Sequence, residues 1–186
     1  MRCGVEVESA RRDCGCRARL HSLTRLRSAV AYEGPIEPAV HRFKYEGWRR
    51  LAVPLAELMA ERLAAEGVAA RLIVAVPLHP TRQRQRGYNQ SELLLRELRQ
   101  RLALRSPPGV LVRTRATPPQ VGNDRKRRFE NVAGAFAWKG EQLAGEAILL
   151  IDDVATTGAT LDACAQALRA AGSGPVTGVS VARVNV

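Results

Sequence analysis

The 186-residue sequence predicts an α/β protein, an open and mostly parallel sheet flanked by helices. Three observations carry that expectation. Leu72–Val76 and Ile148–Ile151 are short, uninterrupted apolar runs, as strands buried on both faces are. Segments of helical periodicity stand before the first, at Leu51–Ala65, and between the two, at Ser91–Leu102. The second run passes through Asp152, Asp153 and a tight turn into the helical segment Leu161–Ala171. In an open α/β sheet the ligand crevice lies outside the carboxyl ends of the strands, which is where those acids fall.

Length and composition set the limits. The size favours one domain with a small appendage, divided here as residues 1–28 and 29–186. No run approaches the ~20 apolar residues of a membrane span and no signal-peptide core is visible, so a cytoplasmic location is expected. The formal charge of +11 invites a nucleic-acid partner. Only Lys44, Lys126 and Lys139 among the 29 basic residues are lysine, however, and alanine is abundant, a bias that a GC-rich genome also produces. Aromatic residues make up 4%, so no platform for stacking single strands is obvious.

Taken in order, residues 1–28 are polar, Arg-rich and hold Cys3, Cys14 and Cys16. Their spacing is a weak zinc signal, with His21 as a conceivable fourth ligand and free reduced thiols as the alternative. Ser28–Gly34 reads as a strand ending at Pro35, and Ile36–Lys44 as a short helix or turn carrying His41, Arg42 and Lys44. In Leu51–Ala65 the regular helix begins near Pro54, which an interior turn would not tolerate. The strand Leu72–Val76 stops at Pro77, and Val76-Pro-Leu-His-Pro80 is a rigid loop. Arg82, Arg84 and Arg86 alternate and would share one face of an extended segment. Arg86-Gly-Tyr-Asn-Gln90 leads into Ser91–Leu102, whose buried stripe is Leu94, Leu95, Leu98 and Leu102.

Ser106-Pro-Pro-Gly109 breaks the chain before a short strand, Val110–Arg113. Thr117–Arg128 is basic and rich in turn formers, a flexible loop. Phe129–Val132 and Gly134–Trp138 return to the core, and Lys139-Gly140 turns into the strand Ile148–Ile151. After the helix Leu161–Ala171, in which Cys164 is small core packing, Gly172–Pro175 forms a cap and turn. Val176–Val184 is a final strand beside Ile148–Ile151.

The chemistry concentrates at Asp152–Thr160. A loop entering a helix presents backbone N–H groups without intrahelical partners, and the helix dipole favours an anion there by about 0.3–1 kcal/mol. Gly158 lets the backbone approach a phosphate, and the hydroxyls of Thr156, Thr157 and Thr160 add donors. Two acids beside a phosphate make sense only if the ligand also carries neutral hydroxyls. A ribose 5-phosphate meets both requirements.

Ile148-Leu-Leu-Ile-Asp-Asp-Val-Ala-Thr-Thr-Gly-Ala-Thr160 resembles the phosphoribosyl-pyrophosphate (PRPP) signature of the type I phosphoribosyltransferases. With Tyr32-Glu-Gly-Pro35, His41-Arg-Phe-Lys-Tyr-Glu-Gly47, Val76–Pro80, Arg86–Gln90 and Asn123-Asp-Arg-Lys-Arg-Arg-Phe-Glu-Asn131, the pattern is similar to the ComF/GntX branch of that superfamily. Ala155 departs mildly from the larger apolar residue usual in the signature. The resemblance implies that Ala155, Thr156, Thr157, Gly158, Ala159 and Thr160 hold the 5-phosphate and that Asp152 and Asp153 hold the ribose hydroxyls. It implies that Pro77, Leu78, His79 and Arg86 hold pyrophosphate, and that Arg125 or Lys126 closes over it from a mobile lid. Residues 32–45 would help to form a hood over the acceptor, with His79 and Tyr88 as candidate contacts. Mg²⁺ would accompany PRPP, and phosphoribosyl would pass to an unidentified acceptor.

The same resemblance implies an N-terminal zinc ribbon of two C-x-x-C knuckles. This chain departs from it: the partner of Cys3 would precede Met1, and Cys14 and Cys16 form C-x-C. A degenerate, zinc-ribbon-like segment is therefore expected, with Zn²⁺ doubtful. The ComF branch also raises a second reading, a non-catalytic PRPP-binding or DNA-associated protein working with DNA or the DNA-uptake machinery.

Overall fold

The computed structural model describes residues 20–116 and 125–184, with backbone alone at Arg125 and Lys126. Cys3, Cys14 and Cys16 lie outside the described residues. The chain forms an α/β fold around a four-stranded, wholly parallel sheet in the order β1-β6-β5-β2, comprising Arg25–Ala31, Val176–Arg183, Ile148–Ala155 and Leu72–Ala75. The apolar runs become β5, a central strand, and β2, the edge strand beside it, and both faces of each are covered. Leu149 and Ile151 of β5 point to one core with Ile73, Val179 and Val181, and Ile148 and Leu150 point to the other with Leu72, Val74 and Val176.

Three helices line the first face: α1 (Ile36–Tyr45), α2 (Ala52–Ala65) and α4 (Gln90–Arg101). Pro54 sits in the first turn of α2, where its missing N–H would have had no partner. A 3₁₀ turn, Arg49–Leu51, joins α1 to α2. The second face carries α5 (Arg125–Val132), α6 (Ala159–Ala170) and an antiparallel hairpin of β3 (Gly109–Arg113) with β4 (Phe136–Gly140). Leu20, Leu23 and Leu26 fill the same layer and are almost wholly buried. No helix among the described residues is long and apolar enough to cross a membrane.

Four local expectations need correction. Pro80–Arg86 is a helix, α3, not an extended segment. Proline takes its first position, the His79 ring accepts from the Thr81 N–H, and Gly87 closes it at φ +78°. Residues two apart on a helix point to different sides, so Arg84 leaves the side on which Arg82 and Arg86, four apart, lie. Arg125–Arg128 opens helix α5 where a loop was expected. Strand β5 runs through both acids to Ala155 instead of ending before them, because the ladder to β6 continues at Asp152, Val154 and Ala155. Strand β1 begins at Arg25 and ends at Ala31, three residues earlier at each end than expected.

Candidate functional site

Asp152 and Asp153 occupy the carboxyl-terminal part of β5 and so alternate across the strand. Asp152 Oδ1 accepts from Ser91 Oγ at 3.2 Å and from the Asp153 N–H at 2.9 Å. Asp153 is 8% exposed, accepts from the Val154 N–H at 2.6 Å and meets Lys44 Nζ at 3.1 Å. Burial, then the charge of Asp153, pushes the Asp152 carboxyl up to about 7, with Lys44 pulling the other way. Burial alone would lower Lys44, but the charges of Asp153 and Asp152 outweigh it and hold the ammonium above its ordinary value. One ammonium thus serves two neighbouring carboxylates in a partly desolvated crevice.

The crevice is a cavity of about 440 Å³, within the usual size of ligand sites. Its floor is the loop Ala155, Thr156, Thr157, Gly158, Ala159 and Thr160, and Asp152 stands at its edge. Thr157 Oγ1 accepts from the Ala159 N–H at 3.3 Å, which fixes the loop as it enters α6. Four cations from four separate elements reach the same cavity: Lys44 from α1, Arg82 from α3, Arg113 from β3 and Arg128 from α5. Burial, then the neighbouring charge of Arg82, lowers Arg113 from its usual value, although a guanidinium stays protonated at any physiological pH. Like charges have been drawn together around a hydroxyl-rich loop, an arrangement that suits a polyanion with hydroxyl groups.

Gly158 has a role beyond the one expected of it. Its φ is +83°, and a Cβ there would lie 2.9 Å from Leu26 and 3.1 Å from Leu20, so the loop is packed tightly from beneath. Below the same turn, the buried Asp162 carboxylate accepts from the backbone N–H groups of His21 (3.3 Å), Ser22 (2.9 Å) and Leu23 (2.9 Å). Asp162 also lies in the first turn of α6, where the helix dipole favours a negative charge.

The remaining expected residues are placed less directly. Pro77, Leu78 and His79 follow β2 at the carboxyl end of the sheet, and His79 is spent on capping α3. Arg86 lies off the cavity wall: Nη1 donates to Gln90 Oε1 at 2.7 Å and its guanidinium stacks 4.9 Å from the centre of the Tyr45 ring. Tyr88 is buried and donates to the Phe43 carbonyl at 2.5 Å. Gln90 donates to the Lys44 carbonyl at 3.3 Å, and Asn89 to the Val76 carbonyl at 3.0 Å. With Ser91 on Asp152, the segment Arg86–Ser91 therefore ties α1, β2 and β5 together around the site. The side chains of Arg125 and Lys126 lie outside the described residues, while Arg128 and Asn131 of the same helix line the cavity.

Sequence reasoning missed Arg113, Asp162 and Ser91, and left Lys44 undecided between site and surface. The one local signal for Arg113 was a charge closing an apolar strand. Among the described residues no three or more His, Cys, Asp or Glu side chains gather as a metal site.

No family model matches the chain. It is similar to DNA utilization protein YhgH of Escherichia coli, 31% identical over 181 residues that span 94% of this chain and 79% of the relative. Competence protein F of Haemophilus influenzae is 32% identical over 178 residues, 91% of this chain and 78% of the relative. The YhgH protein of Salmonella typhimurium is 31% identical over 180 residues, with 94% and 79% covered.

Proposed function

Because the chain belongs to the family of Competence protein F and DNA utilization protein YhgH, we propose that its crevice serves a phosphoribosyl chemistry within DNA utilization. The protein binds PRPP and transfers the phosphoribosyl group to an acceptor. One observation carries this reading: Asp152, a helix-entry loop rich in hydroxyls and four cations line a single cavity, with Asp153 joined to it through Lys44. A phosphate alone would not call for the acids, and a sugar alone would not call for the cations.

The roles follow from position. Thr156, Thr157 and Thr160, with the amide groups entering α6, receive the 5-phosphate. Asp152 and Asp153 accept hydrogen bonds from the ribose 2- and 3-hydroxyls, and Lys44 favours their ionised forms against burial. Arg82, Arg113 and Arg128, which line the cavity, take the pyrophosphate charge in place of Arg86, which lies off its wall. The backbone of Pro77–His79 borders the same end of the sheet. In the transfer an acceptor lone pair forms a bond to ribose C1, the bond from C1 to the pyrophosphate oxygen breaks, and that electron pair leaves with pyrophosphate. The chain's work is orientation and stabilisation of the charge gathering on the leaving group. Two carboxylates are too few to cage a metal, but they suit a Mg²⁺ that arrives on substrate oxygens and keeps its waters. When bound, it would neutralise pyrophosphate charge.

The relatives' names favour a second reading, in which the crevice binds PRPP without turnover and the protein acts in DNA utilization or competence as a DNA-associated factor. Calorimetry with PRPP and Mg²⁺ tests the shared premise. Wild type should bind, and Asp152→Asn/Asp153→Asn should lose at least tenfold in affinity. A wild type that takes up no PRPP would overturn both forms of the reading. Pyrophosphate release on adding acceptors then separates enzyme from binding protein.

A further inference from the structure

Asp162 is an acid in an unexpected place. It stands in the first turn of α6, and side chains on a helix lean back toward its amino end. That end is the one a phosphate in the Ala155–Thr160 loop would approach. A carboxylate there takes the same favourable interaction with the helix dipole and repels the phosphate. The structure relieves the conflict by occupying the acid. Asp162 Oδ1 accepts from the N–H groups of Ser22 and Leu23, each at 2.9 Å, and Oδ2 accepts from that of His21 at 3.3 Å.

All three donors belong to Leu20–Thr24, an irregular stretch that leads into β1. The Thr24 N–H donates to the Val176 carbonyl at 2.8 Å. Leu20 rests on Gly158, where a Cβ would lie 3.1 Å from it, and Leu23 rests on Gly178 of β6, where a Cβ would lie 3.3 Å from it. His21 and Thr24 are exposed and Ser22 is half-buried. A short irregular segment of this kind opens more readily than the strands it covers. When it lifts, two changes come together. Gly158 loses a side chain that seats it, and Asp162 loses three donors, so an uncompensated carboxylate stands behind the loop.

We propose that Leu20–Thr24 is a regulatory strap for the crevice. Docked, it occupies Asp162, seats Gly158 and leaves the loop fit for an anion. Released, it frees the acid and lowers anion affinity. By reciprocity, an anion in the loop holds the strap down. That the anion is PRPP rests on the reading above, whereas the docking itself does not. Residues 1–19 join the sheet through this strap, so a partner taken up by that segment would act on the crevice from behind.

Two measurements test the strap. In hydrogen exchange read by NMR, PRPP with Mg²⁺ at about 100 times its Kd should slow the amides of His21, Ser22 and Leu23 by up to about a hundredfold, because the docked form is the one that binds. The amides of Gly67 and Val68, at the far end of α2, should be unaffected. No slowing at residues 21–23, or slowing spread evenly over every amide, would overturn the proposal. In calorimetry, Leu20→Ala should bind PRPP about tenfold more weakly. Met59→Ala, which truncates a buried side chain of the other core, should keep wild-type affinity and so controls for lost stability. Each variant is checked as folded by circular dichroism. Adding Asp162→Asn to Leu20→Ala should recover part of the loss, since the charge behind the loop is gone. Equal affinities for Leu20→Ala and Met59→Ala would overturn the strap, and a double variant with no recovery would overturn the part given to Asp162. A wild type that takes up no PRPP would overturn the PRPP reading alone. The exchange experiment is then run with inorganic pyrophosphate, and no slowing at residues 21–23 there would overturn the strap as well.

Discussion

The loop Ala155–Thr160 has two sides, and the charges on them are handled differently. On the underside, Asp162 is surrounded by three backbone N–H donors, and Leu20 and Leu26 press against Gly158. On the crevice side, Asp152 and Asp153 stand next to each other, and four cations converge from four elements. The first arrangement is satisfied within the chain. The second brings four cations and a pair of acids bridged by Lys44 together around an open cavity. Both sides belong to one strand, one turn and one helix, so the contrast separates an acid that holds the fold from acids placed beside an open crevice.

The largest effect should come from the underside. Asp162→Ala leaves the N–H groups of His21, Ser22 and Leu23 without their acceptor and should cost about 3–4 kcal/mol. That corresponds to a fall in Tm of roughly 10 °C, read by thermal denaturation. A Tm unchanged by this substitution would erase the distinction between the two sides. Lys44→Met should come next, at about 2–3 kcal/mol at pH 8, because it strands two carboxylates near each other. Part of that loss should disappear at pH 5, where Asp152 is protonated.

The smallest effect should have the opposite sign. Asp152 is held near 7 in the folded chain against an ordinary 3.8, so the folded state keeps its proton over a range in which the unfolded state has lost it. Stability contributed by that proton is complete below pH 4 and is lost as pH rises through about 7. Asp152→Asn should therefore raise the Tm by a few degrees at pH 8, roughly 1–2 kcal/mol, and match wild type near pH 4. Stabilisation equal at both pH values would assign the gain to something other than ionisation. The same variant should bind PRPP less well, so stability and binding would move in opposite directions.

How much of this was legible depended on distance along the chain. Ile148–Thr160 could be read because its strand, turn and helix entry are consecutive residues, and Leu72–Ala75, Ile36–Tyr45 and Val176–Arg183 were close to their expected places for the same reason. Helix α3 was hidden because Thr81–Arg86 has no apolar stripe, so that its caps, His79 and Gly87, carry the signal instead. Arg86 was expected in the crevice and is turned away from it by Gln90 and Tyr45, partners no spacing rule names. Lys44 and Asp153 are far apart in sequence, as are Asp162 and residues 21–23, and only the folded sheet brings them together.

Among the described residues strand β1 has a single neighbour, β6, with Arg25 beside Thr177 and Ser28 sharing a hydroxyl hydrogen bond with Ser180. During synthesis, then, one edge of the sheet waits for its partner while the whole of the intervening chain is made, on the order of ten seconds or more at ribosomal speed. Until β6 emerges, Leu20, Leu23 and Leu26 have neither the sheet nor the underside of the Ala155–Thr160 loop to cover them. Closure of the edge and completion of the crevice become one late event, since the residues that seal the sheet are the same ones that prop up the loop.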